Sequence, residues 1–181
     1  MDGGNPPQWP ETVVSMAAAT GRPARGSHII ARVALEAAAW GAMMMVSALV
    51  ALLFERGRGL NAQTGQILVI YFFGGAIAFA VARPFLHFVN RYLATSWRFV
   101  LALIVLAGLT MGATAGVLAL DYRAYYAEWH DDFFSVAWFY QQAYTLLGST
   151  YQYLVIGTRL YWPLGPVFLL LTSWWLARRA S

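Results

Sequence analysis

The stretch Phe99–Leu120 reads FVLALIVLAGLTMGATAGVLAL and contains no charged residue. A helix of roughly 20 apolar residues, rising 1.5 Å per residue, crosses the about 30 Å of hydrocarbon in a bilayer. This stretch therefore predicts a membrane-spanning helix. Three other segments read the same way. Residues 29–54 contain AAAWGAMMMVSALVALLF, residues 65–88 contain ILVIYFFGGAIAFAVA, and residues 160–177 contain WPLGPVFLLLTSWWLA. The last is short and opens on Pro163 and Pro166, which a helix tolerates in its first turn because those N–H groups lack partners anyway.

The whole chain agrees with these segments. Of its 181 residues, 60% are apolar and 11% are charged, with a mean hydropathy of +0.54. Soluble domains carry about 25% charged residues, and a small one cannot hide this much apolar surface. The expected fold is an all-α integral membrane protein with four transmembrane helices and one membrane domain over residues 28–181. Residues 1–27, rich in Gly, Pro and small side chains, read as a flexible cytoplasmic tail. No basic stretch followed by a long apolar run marks a cleavable signal peptide there. No internal repeat is evident, so an inverted-repeat transporter has no support.

The charges suggest an orientation. All 12 basic residues are Arg, as in an Arg- and Ala-rich bacterial proteome. Arg22, Arg25, Arg32, Arg83, Arg91, Arg98, Arg178 and Arg179 fall on one side of the four spans, and Arg56, Arg58, Arg123 and Arg159 on the other. The positive-inside rule then places both termini in the cytoplasm, in a bacterial inner membrane. The net charge of +4 is sided in this way and does not indicate nucleic-acid binding. The absence of cysteine excludes disulfides, thiol catalysis, iron–sulfur clusters and Cys-ligated zinc.

Five features bear on function. Arg32 and Glu36 lie four residues apart and can pair on one helical face. They suit either a snorkelling, neutralised pair or a contact to a partner or anionic ligand. Arg83, His87 and Arg91 share a face if the helix continues past Pro84. That rim fits an anionic lipid headgroup or a simple topological anchor. A haem between His28 and His87 is geometrically conceivable, but neither sits in a convincing haem pocket, and no cofactor is expected.

The third feature is Gly108, Gly112 and Gly116, a GxxxGxxxG pattern with Thr110, Ala113, Thr114 and Ala115 around it. Small residues at this spacing let another helix approach closely. The partner helix can belong to the same chain, with Gly74 and Gly75 as the facing surface, or to another protein or a second copy. The fourth feature is the outer segment 121–159, expected to form an amphipathic, aromatic-rich helical segment between spans three and four. Residues 121–162 hold 14 of the chain's 29 aromatics. A helix is expected over DDFFSVAWFYQQAYTLL, with Asp131 and Asp132 in its first turn. A second short helix is expected over Ser149 to Ile156. Trp129, Phe134, Trp138 and Tyr144 are the candidates for an outer recognition surface, with membrane anchoring as the plainer role. The fifth is EWHDD. Glu128, His130, Asp131 and Asp132 are legitimate metal ligands, but neighbours on a helix diverge and no second cluster completes a shell, so no metal is expected.

No catalytic set is present, and the middles of the spans hold no ionisable residue. The expected function is a non-catalytic accessory, assembly or scaffold subunit of a larger membrane complex. Its partners would be membrane lipids and another membrane protein or itself. The alternatives are a small transporter or lipid-handling protein for an apolar or anionic substrate, and a metal- or cofactor-dependent membrane enzyme.

Overall fold

In a computed structural model that describes residues 25–55, 61–126 and 134–179, every element is helical. Helix α1 is Arg25–Val50 and widens into a π-helical turn at Ala51–Glu55. Helix α2 is Ala62–Val89, α3 is Thr95–Tyr126, α4 is Val136–Val155 and α5 is Leu164–Arg179. Short 3₁₀ segments at Asn90–Tyr92 and Gly157–Tyr161 join α2 to α3 and α4 to α5. Three helical segments are long and apolar enough to cross a membrane: His28–Phe54, Ala62–Tyr92 and Trp97–Tyr126. The expected fourth span is only 16 residues of α-helix, about 24 Å long.

The chain divides into two units, Met1–Val33 and Ala34–Ser181. The described part of the first unit is the opening of α1, with His28, Ile29, Ile30 and Arg32 exposed. That helix begins at Arg25, so residues 25–27 of the expected tail are helical. All other packing described below lies within the second unit.

Local signals explain several boundaries. Asn61 caps α2, its side-chain oxygen accepting from the Thr64 N–H at 2.8 Å and the Thr64 hydroxyl at 3.0 Å. Pro84 lies inside α2 without ending it. A missing backbone donor is tolerated in a membrane helix when neighbours satisfy the freed group. Ser135 caps α4, accepting from the Trp138 N–H at 3.0 Å. The expected helix start is corrected here. Phe134 has a φ of 66°, outside the helical region, so the helix begins at Val136. From there α4 is one continuous helix of 20 residues, rather than a long and a short one. Asp131 and Asp132 lie outside the described residues.

The core joins α1, α2, α3 and α5. Trp40, Met44, Phe79, Ala82, Ala102, Leu106 and Leu176 form one buried cluster. Nearer the other end, Ala48, Leu52, Tyr71, Tyr153 and Leu160 form a second. Glycines set the closest approaches. A Cβ on Gly41 would lie 2.5 Å from the Phe72 carbonyl oxygen, and one on Gly74 would lie 2.6 Å from the Thr114 Cα. A Cβ on Gly75 would meet the Gly41 Cα at 3.0 Å. These backbone contacts cannot be relieved by a rotamer change. Gly74→Ala is therefore expected to destabilise the protein by about 1–3 kcal/mol. Gly65→Ala, where an added Cβ meets nothing within 4 Å, is expected to leave stability unchanged. Thermal unfolding of both variants in one detergent checks the difference.

Candidate functional site

Helix α3 has two faces of opposite character. Ala102, Leu106, Thr110 and Thr114 repeat every four residues and are buried. Gly108, Gly112 and Gly116 repeat at the same interval, two positions out of register. Two residues turn a helix by about 200°, so the glycines point away from the buried face. They are exposed, and a Cβ added to any of them meets nothing within 4 Å. The intramolecular use of these glycines is corrected accordingly: Gly74 packs on Thr114 instead. Only 22% of the most apolar window of α3 is buried, against 39% for α2, so α3 presents the wider open face.

The buried face of α3 carries a polar network. The Trp40 indole N–H donates to the Thr110 hydroxyl at 3.1 Å, and the Thr114 hydroxyl donates to the Thr110 carbonyl at 2.8 Å. Tyr161 donates to the Thr114 hydroxyl at 2.8 Å, and Tyr153 donates to Tyr161 at 3.2 Å. Ser47 donates to the Tyr161 carbonyl at 2.8 Å, and Tyr71 donates to the Gly157 carbonyl. Burial, more than the adjacent Tyr161 hydroxyl, pushes the Tyr153 phenol above its ordinary value. It therefore stays a neutral donor at physiological pH. These groups resemble a structural brace more than a reactive set, because the hydroxyls of Ser47, Tyr71, Thr114, Tyr153 and Tyr161 each donate to a neighbour.

At the end of the bundle where α1 begins, Glu36 is bound from two other helices. The Arg83 Nε and the Arg179 Nη1 each lie 3.1 Å from one of its carboxylate oxygens. Glu36 is 14% exposed, a depth at which an ion pair needs good geometry to offset desolvation. Arg83 and His87 share α2, as expected, but Arg83 turns to Glu36 while His87 and Arg91 are exposed. Arg91 sits beyond the helix, in the 3₁₀ turn, 6.0 Å from the Phe88 ring.

At the opposite end, Tyr122, Tyr126, Gln141, Tyr144 and Gln152 line a cleft of about 490 Å³ between the last turns of α3 and α4. A second cleft of about 200 Å³ shares Gln152 and reaches Tyr71 and Tyr153. Tyr122 donates to the Gln152 side chain across the first cleft. Of the expected outer surface, Tyr144 lines this cleft. Phe134 and Trp138 lie apart from it and pack on each other, ring centroids 5.8 Å apart, with Phe139 against Trp138 at 5.0 Å. Trp129 and the metal candidates Glu128, His130, Asp131 and Asp132 lie outside the described residues. Among the described residues, no three His, Cys, Asp or Glu converge on one point.

Sequence reasoning missed Arg179 as a partner of Glu36, because 143 residues separate them. It also missed the Thr110 and Thr114 face. Their four-residue spacing was a usable signal, since hydroxyls at membrane depth seek partners. Compared with protein-family models, curated proteins and solved structures, the chain matches none.

Three substitutions test this geometry. Tyr161→Phe removes the hydroxyl between Tyr153 and Thr114 and is expected to cost about 1–3 kcal/mol. Tyr151→Phe, on an exposed ring, is expected to stay within about 0.5 kcal/mol of the parent. Glu36→Gln leaves Arg83 and Arg179 facing a neutral group and is expected to lower stability by about 1–3 kcal/mol. Unfolding followed by tryptophan fluorescence reads all three.

Proposed function

We propose that this chain is a non-catalytic membrane subunit that assembles with, or scaffolds, a larger membrane complex, using the glycine face of α3 as its docking edge. The observation that carries this reading is the orientation of Gly108, Gly112 and Gly116. The chain packs its own helices through Gly41, Gly74 and Gly75 and leaves the longer glycine series uncovered. In lipid, helices associate through close van der Waals contact, and small residues at four-residue spacing permit it. The partner is a helix of another membrane protein or of a second copy. The outer cleft around Tyr144 offers aromatic anchors for the same complex.

The reading includes a fourth crossing. Gly157–Tyr161 and α5 together span about 34 Å at 3₁₀ and α-helical rises, enough for the hydrocarbon core. Both termini then lie on the arginine-rich side, which in a bacterial inner membrane is the cytoplasm. A single-cysteine accessibility scan reports this directly, because the chain has no native cysteine.

Gly112→Leu is expected to weaken association roughly tenfold, so that the complex moves to lower mass on blue-native electrophoresis of mildly solubilised membranes. Gly65→Leu, at the exposed start of α2, is expected to migrate like the parent. A parent protein that runs only as a free monomer would overturn the proposal.

A further inference from the structure

At the end of the bundle that holds the ion pairs, a crevice of about 290 Å³ opens between α1, α2 and α5. Its walls are Trp40, Met43, Phe79, Leu171 and Trp175, with Glu36 at one end. Leu171, at its lip, is 60% exposed, so in a membrane the crevice faces the acyl chains. Its volume is close to the lower limit for ligand pockets, about 300 Å³. It has room for part of one hydrocarbon chain and too little for a helix.

The charged end of the crevice is not neutral. One carboxylate, Glu36, is shared by two guanidiniums, Arg83 and Arg179. Arg178 lies on the same turn of α5, over a ring that is not among the crevice walls. The Arg179 guanidinium carbon lies 3.9 Å from the centroid of the Trp175 ring, and that of Arg178 lies 3.9 Å from the Trp174 centroid. Stacking fixes both cations, and a guanidinium has five N–H donors, of which Arg179 uses one on Glu36. An apolar slot ending in a surplus of fixed positive charge is complementary to an amphiphile with one anionic head.

We infer that this crevice is a specific site for an anionic phospholipid, with one acyl chain between Met43 and Leu171 and the phosphate on Arg179. Glu36 does not repel the headgroup, because its charge is already compensated from both sides; it holds Arg83 and Arg179 in place. His87 and Arg91, the rim expected from sequence, lie on α2 and the turn beyond it and take no part. The site is independent of the glycine face.

Native mass spectrometry of the full chain in mild detergent tests this, using phosphatidylglycerol and phosphatidylcholine with identical acyl chains. The expected result is one retained phosphatidylglycerol per chain and weaker retention of phosphatidylcholine. Arg179→Gln is expected to lower phosphatidylglycerol retention about fivefold and leave phosphatidylcholine unchanged. Leu171→Trp, which fills the slot without altering charge, is expected to lower retention of both. Arg91→Gln, a cation outside the crevice, is expected to change neither. Equal retention of the two lipids would overturn the inference, as would an Arg91→Gln loss equal to that of Arg179→Gln. Displacement of the lipid by inorganic phosphate alone would also overturn it, since that marks a simple anion site. Retention is expected to persist in Gly112→Leu. Its loss there would place the lipid between subunits and contradict the crevice. Circular dichroism of each variant establishes that it is folded, and Arg179→Gln, at an exposed side chain, keeps the inference open to refutation if Leu171→Trp does not fold.

Discussion

The backbone between α4 and α5 abandons α-helical geometry at Gly157–Tyr161, and carbonyls released there must find donors away from water. A buried backbone carbonyl is costly unless a donor reaches it. Here Ser47 from α1 reaches the Tyr161 carbonyl, with the Leu160 carbonyl 3.4 Å away, and Tyr71 from α2 reaches the Gly157 carbonyl. The side chain of Tyr161 then continues to Thr114 on α3, and Trp40 joins the same helix at Thr110. One break thus ties four helices together. In a low-dielectric interior such bonds are strong, and an unpaired member is costly.

That brace decides which face of α3 is turned inward. Thr110 and Thr114 must face Trp40 and Tyr161, so the glycines two positions away must face out. The same rotation brings Gly74 against Thr114 and allows the backbones to close. The glycine face is therefore a consequence of the internal hydrogen bonds, and its outward direction is not a free choice of the helix. At the arginine-rich end, Glu36 repeats the principle with charge, holding α1, α2 and α5 through Arg83 and Arg179.

The apolar runs were legible in the sequence because hydrocarbon thickness imposes a length, and three of them stand as helices able to cross a membrane. A helix between α3 and α5 was legible, but its start was not. The φ of Phe134 and the Ser135 cap decide it, and a positive φ at an aromatic residue leaves no mark in composition. The glycine pattern was visible, but its direction was not, since four-residue spacing on α3 serves the threonines and the glycines equally. The Glu36–Arg179 pair was hidden by distance along the chain. Arg83, His87 and Arg91 looked alike as a spaced series, and only tertiary packing separates the one that turns inward from the two that stay exposed.

The central claim is that the glycine face of α3 meets another protein helix in the membrane. A photo-crosslinking residue placed in living cells at Met111, which is 39% exposed beside the glycines, tests it most directly. The same residue at Ile77, 47% exposed on α2, is the comparison. The account predicts a discrete protein adduct from position 111 and none from position 77. Absence of a protein adduct at 111, or equal adducts at both positions, would contradict it.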